Sequence, residues 1–169
     1  MKTLSLCAAF ILLCWSLAAQ AQTSRMPKDN WCIQKSTDED NNMVFITANL
    51  GYRDYGFKAE FPWCLSVNMT IIDKNFNGHP TAPEALVLNQ AEDLITAELE
   101  KVGVTHFVGR TTVNGSRVLY YFVADPDKAN EALVPMTKTH QIREWEYRME
   151  QDHQWLRVAS FFDKNAQCL

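Results

Sequence analysis

The run Asp73-Lys74-Asn75-Phe76-Asn77-Gly78, with Glu84 beyond it, has the residue types and spacing of a calcium loop. Asp73, Asn75 and Asn77 would supply oxygens at alternating positions, Gly78 the bend and Glu84 the distal carboxylate. The same stretch has a simpler use, because Thr81-x-x-Glu84 is a capping box that serves a helix start without any metal. Pro80 also stands where loops of this type pair through a backbone N–H, and only Asp73 and Glu84 bring charge. No resident cofactor is expected, with calcium at Asp73, Asn75, Asn77 and Glu84 as the alternative. Other chemistries find less. His79, His106 and His140 form no H-x-x-x-H pair and the cysteines no C-x-x-C, so no zinc site is readable. There is no G-x-S-x-G and no glycine loop for a phosphate. Glu92 and Asp93 are adjacent and read as the solvated side of a helix. No catalytic residue is assigned.

The elements that would position a site follow from periodicity. Met43 to Asn49 is rich in strand formers, and Leu65, Val67, Met69 and Ile71 alternate with polar residues. Leu88, Ala91, Ile95, Leu99 and Val102 recur at helical spacing between the capping box and Gly103. Asn114-Gly115 joins two strands, Thr105 to Thr112 and Arg117 to Ala124, because both turn residues tolerate positive φ. Asp125-Pro126 supplies an N-cap and first-turn proline for a short helix to about Val134. Trp145, Tyr147 and Met149 then share one side of a strand, and a last helix is expected around Trp155 to Phe162, with Asp152 as its cap. From Leu65 the order is strand, helix, strand, strand, helix, strand. That is the split βαβ arrangement of an α+β, ferredoxin-like fold (a βαββαβ core), with an extra N-terminal strand and a C-terminal helix.

With a two-residue turn, Gly109 should face Tyr120, Phe107 face Phe122 and Thr111 face Val118 on the core side. The other side would then carry His106, Arg110 and Thr112 beside Arg117, Leu119 and Tyr121. Ser66, Asn68 and Thr70 would join them from one neighbouring strand, and Glu144, Glu146 and Arg148 from another. His106, Arg110, Arg117 and Tyr121 are the candidate binding residues, suited to an anionic ligand or the acidic loop of a protein. The plainer alternative is a solvated sheet face whose charges pair across strands.

Met1-Lys2, the apolar run Leu4 to Ala19 and Ala19-Gln20-Ala21 read as a signal peptide over 1–21, so the chain is expected to be periplasmic or secreted. Leu13 fills a place where a lipid-anchor signal needs a small residue, and no stretch is long enough to span a bilayer. Residues 22–42 read as a polar lead-in and 43–165 as a single α+β domain. The mature chain carries 15 basic against 20 acidic side chains, which disfavours nucleic acid. It keeps Cys32, Cys64 and Cys168, read as one disulfide and a spare thiol. Cys32 with Cys168 would close the longest loop, and Cys32 with Cys64 is the alternative.

Gly78-x-Pro80, Glu84, Leu88, Glu92-Asp93, Val108-Gly109-Arg110, Gly115-x-Arg117, Tyr120-Tyr121-Phe122 and Asp152-x-x-Trp155 together resemble a bacterial family catalogued as domain of unknown function 695. The likeness runs over roughly residues 60–162. Members can be fused to domains similar to the ribonuclease E inhibitor family, which implies protein binding, although an exported chain would not meet that cytoplasmic partner. The expected function is a non-catalytic periplasmic binding or regulatory module acting through an open sheet face. A small hydrolase whose acidic and histidine residues converge only in the fold is the alternative.

Overall fold

Asn114 (φ 41°) and Gly115 (φ 85°) form the tight turn that their residue types require, and they join strands β4 (Thr105–Val113) and β5 (Ser116–Val123). Around this hairpin the computed structural model describes residues 26–169 apart from His140. The expected signal peptide lies outside the described residues. Before the hairpin come β1 (Trp31–Thr37), β2 (Met43–Asn49), β3 (Trp63–Thr70) and helix α1 (Ala82–Val102). After it come α2 (Pro126–Thr137), β6 (Trp145–Gln151) and a 3₁₀ helix, Leu156–Phe162. The six strands form one antiparallel sheet in the order β1-β2-β4-β5-β3-β6.

The α+β class stands, with three differences from expectation. Two strands precede β3 instead of one, so the sheet as a whole does not have the four-strand order of a ferredoxin-like sheet. Strand β1 falls inside the stretch read as a polar lead-in. Its alternation is inverted: polar Gln34 is 3% exposed and donates to the Phe161 carbonyl at 2.9 Å, while Trp31 and Ile33 are 45% and 48% exposed. The closing helix is 3₁₀ instead of α. Trp155 enters it in the left-handed region (φ 59°, ψ 39°), and the Asp152 carboxylate accepts from the N–H groups of Leu156 and Arg157.

Both faces of the sheet are packed. On one, Leu88, Ala91, Ile95 and Leu99 of α1 and Ala129 and Leu133 of α2 bury Leu65, Val67, Met69, Leu119 and Tyr121. On the other, Tyr52, Tyr55, Phe61, Trp155, Val158 and Phe161 bury Ile46, Ala48, Cys64, Val108 and Phe122. Cys32 and Cys168 are bonded, which ties β1 to the C-terminus. Cys64 is a buried free thiol, pushed up to about 12 by desolvation.

Candidate functional site

Gly109 decides where the candidate residues point. Its φ is +154°, and a Cβ there would lie 2.3 Å from the Thr47 carbonyl oxygen, so only glycine fits against β2. Beside it Val108 is an extra residue: pairing runs Phe107 with Tyr121 and then Gly109 with Tyr120. The expected partners Gly109–Tyr120 and Thr111–Val118 are observed, whereas His106, not Phe107, faces Phe122. The bulge therefore reverses the side chains before it. Arg110, Thr112, Arg117, Leu119 and Tyr121 share the face covered by the helices, and His106 lies on the opposite face. Ser66, Asn68, Glu146 and Arg148 are also on that opposite face, paired across β3 and β6.

His106 is fully buried in a box of Tyr52, Tyr55, Phe61 and Trp155. Its Nδ1 lies 3.2 Å from the Tyr52 hydroxyl and its Nε2 3.3 Å from that of Tyr55. A neutral imidazole meets both, donating to one tyrosine and accepting from the other. Burial pulls its pKa down to about 4. Tyr121 is likewise fully buried, and burial raises its pKa. The Thr96 hydroxyl donates to the Glu92 carbonyl at 2.8 Å, which leaves Tyr121 as the donor in its 2.9 Å contact with Thr96. Neither His106 nor Tyr121 can touch a ligand without rearrangement.

Arg110 and Arg117 do come together, under the flank of α1. Arg117 is 5% exposed and donates to Asn89 Oδ1 at 2.8 Å; Arg110 reaches the same oxygen at 3.5 Å. Arg110 also pairs with Glu92 at 2.6 Å, so Glu92 is an interior partner and not the solvated residue expected, while Asp93 is exposed. Desolvation, reinforced by the Arg110 charge, lowers the Arg117 pKa to about 10. Arg117 Nε and both ring nitrogens of His79 are buried without a hydrogen-bond partner among the described residues.

The cluster opens sideways. Ile33, Thr47 and Arg110 stand in one cross-strand row on β1, β2 and β4, and Arg110 pairs onward with Leu119 of β5. Trp31 lies 5.6 Å from Phe107, and Phe107 4.9 Å from Tyr121, so an aromatic floor runs from the open side to the buried one. Phe45 and His79, 4.9 Å apart, bound the bay near Thr112. On the opposite face a concavity of about 310 Å³ is lined by Ser66, Asn68, Tyr120, Glu146, Arg148 and Arg157 among others. It is shallow and lined by exposed charges.

Three of the four expected calcium residues, Asp73, Asn75 and Glu84, have their side-chain oxygens engaged in other bonds. Asp73 accepts from the Thr81 hydroxyl at 2.6 Å, and Asn75 Oδ1 from the N–H groups of Asn77 and His79. Lys74 pairs with Pro80 across this small hairpin. Glu84 is 2% exposed; its carboxylate accepts from the Ile72 N–H at 3.0 Å and from both Nε and NH2 of Arg143. Arg143 holds it well below the usual carboxylate range. The Thr81 side chain caps α1 as expected, by accepting from Glu84 N, but the Glu84 side chain does not complete the box. Among the described residues no group of three or more histidine, cysteine or acidic side chains is placed to share a metal.

A family model described as a family of unknown function (DUF695) matches residues 29–162. The chain belongs to this family. Its match includes β1, the strand whose inverted alternation hid it. No curated protein and no solved structure matches the chain. Among the described residues no helix is long and apolar enough to cross a membrane.

Sequence reasoning missed Asn89, Glu92, Trp31 and Ile33 as parts of the bay. An isolated glycine within a strand pattern, Gly109, was the signal for the bulge that determines which residues share a face.

Proposed function

We propose that this family member is a non-catalytic binding module, exported to the periplasm or beyond, that takes a protein or a small anionic ligand in the bay beside α1. One observation carries the reading: two arginines meet at the edge of a sheet surface that the chain's own helices leave uncovered. The exposed Trp31 and Ile33 supply apolar contact, and Arg110 and Arg117 an anchor for negative charge. Apolar contact beside a few convergent polar groups is what binding sites share. The hydrolase alternative has less support. Glu92 is engaged with Arg110, Asp152 with two backbone N–H groups, and His106 with two tyrosines on the far face. We read β3 to β6 with the two helices as a ferredoxin-like core to which β1 and β2 are added; the support is the order β6-β3-β5-β4 with a helix in each crossover.

The test is affinity capture from envelope extract on the immobilised mature chain, comparing wild type with Ile33→Asp, Arg110→Glu and an opposite-face control, Arg148→Glu. A partner lost with the first two and retained with the control is the expected result. A partner lost only with Arg148→Glu would move the site to the opposite face. Intact mass of the exported chain checks the compartment, with Gln22 expected as its first residue.

A further inference from the structure

We propose that Arg110 and Arg117 form a fork for a carboxylate brought by the ligand, and that Glu92 holds that ligand's place in the free protein. The inference rests on reading the bay as the binding surface. Both guanidinium groups converge on Asn89 Oδ1, a neutral atom, and Glu92 is the one carboxylate within ion-pair distance of either among the described residues. Two cations thus share one anion. The neighbouring Glu84 does not restore balance, because Arg143 engages it. Arg117 bears the deficit: it is 5% exposed, has no carboxylate partner and leaves its Nε unbonded. A buried cation in this state is costly until an anion reaches it. The unmatched charge is a single one, and paired guanidinium N–H groups fit the two oxygens of a carboxylate.

Access comes through Arg110, whose side chain is 22% exposed and lies in the same row as Thr47 and Ile33. Glu92 sits on the flank of α1, with 11% of its side chain exposed. An incoming carboxylate that displaces it from Arg110 can bridge to Arg117, and Glu92 is left at the solvent edge. Glu92 is then a built-in competitor, and removing its charge should strengthen ligand binding. A purely structural role, pinning α1 to the sheet, gives the opposite expectation, since loss of Glu92 would only loosen the site.

The experiment follows the arginine Nε–Hε resonances of the full mature chain by NMR at constant ionic strength. The probes are acetate and a blocked tripeptide, acetyl-Leu-Glu-Leu-amide, with chloride as control. Wild type should show a saturable shift of the Arg117 resonance with a carboxylate and none with chloride. Glu92→Gln should bind on the order of tenfold more tightly, and Arg117→Lys, which keeps charge but not the fork, on the order of tenfold more weakly. Tighter binding of the tripeptide than of acetate would identify a protein side chain as the source, and equal binding a small acid. Circular dichroism of each variant separates these effects from unfolding. An affinity unchanged or lowered in folded Glu92→Gln, or a chloride response equal to that of acetate, overturns the fork. A partner still lost on Ile33→Asp would then leave the bay itself standing.

Discussion

Replacing His106 by glutamine should remove a pH dependence that the wild-type protein shows between about pH 6.5 and 4. The imidazole is fully buried between two tyrosine hydroxyls, and desolvation lowers its pKa from 6.5 to about 4. The folded state therefore binds this proton less readily than the unfolded chain. Its share of stability is complete above the unfolded value of 6.5 and is lost progressively as the pH falls towards 4. The gap between the two values corresponds to about 3 kcal/mol. Glutamine keeps one donor and one acceptor but does not titrate, so it tests the charge separately from the packing. Glu84 and other carboxylates held below their usual range lose their own share as the pH falls through ordinary carboxylate values, but they are the same in both proteins and cancel in the comparison. The assay is urea unfolding at pH 7, 6, 5 and 4.5, followed by the fluorescence of Trp155, which stacks on Phe122 at 4.1 Å. Wild type should lose about 2 kcal/mol more than His106→Gln between pH 7 and 4.5. Parallel losses in the two proteins would refute the buried neutral histidine.

Three further outcomes follow from the packing. Arg143→Ala leaves the Glu84 carboxylate buried with only backbone N–H partners, and should lower stability by about 3 kcal/mol in urea unfolding at pH 7, with part of the loss recovered in Arg143→Ala/Glu84→Gln. Cys168→Ser opens a bridge that spans 136 residues, so its unfolding free energy should fall by about 5 kcal/mol on the chain-entropy account, matching the reduced wild type. Gly109→Ala sets a methyl against the Thr47 carbonyl at a positive φ and should cost about 3 kcal/mol or more, read as a lower melting temperature, whereas Gly56→Ala, in open space, should change little.

The elements legible in the residues are those whose cause is local. Thr81 caps α1, Asp125 and Pro126 start α2, and Asn114-Gly115 turns the hairpin, because each acts through backbone groups a few residues away. The disulfide was legible in part: three cysteines outside the expected signal implied one bridge and a spare thiol, and the pairing of Cys32 with Cys168 was the favoured one. The candidate arginines were legible as a pair on one sheet face. Their surroundings were not, since α1 supplies Asn89 to Arg117 from 28 residues away in sequence and Glu92 to Arg110 from 18.

By itself the sequence therefore determined the strands from β2 onward, the two α-helices, their order, the turn, the two caps and the class of the fold. Only the tertiary structure decided which residues face one another and which remain uncovered. One extra residue at Val108 sends His106 into an aromatic core and leaves Arg110 beside α1, although the two are four positions apart in one strand. In β1 the usual pattern is inverted for a different reason: Gln34 is buried because the Phe161 carbonyl satisfies it, while Trp31 and Ile33 stay about half exposed. Side-chain alternation specifies two faces of a strand but not what packs on each, and burial is set by elements distant in the chain.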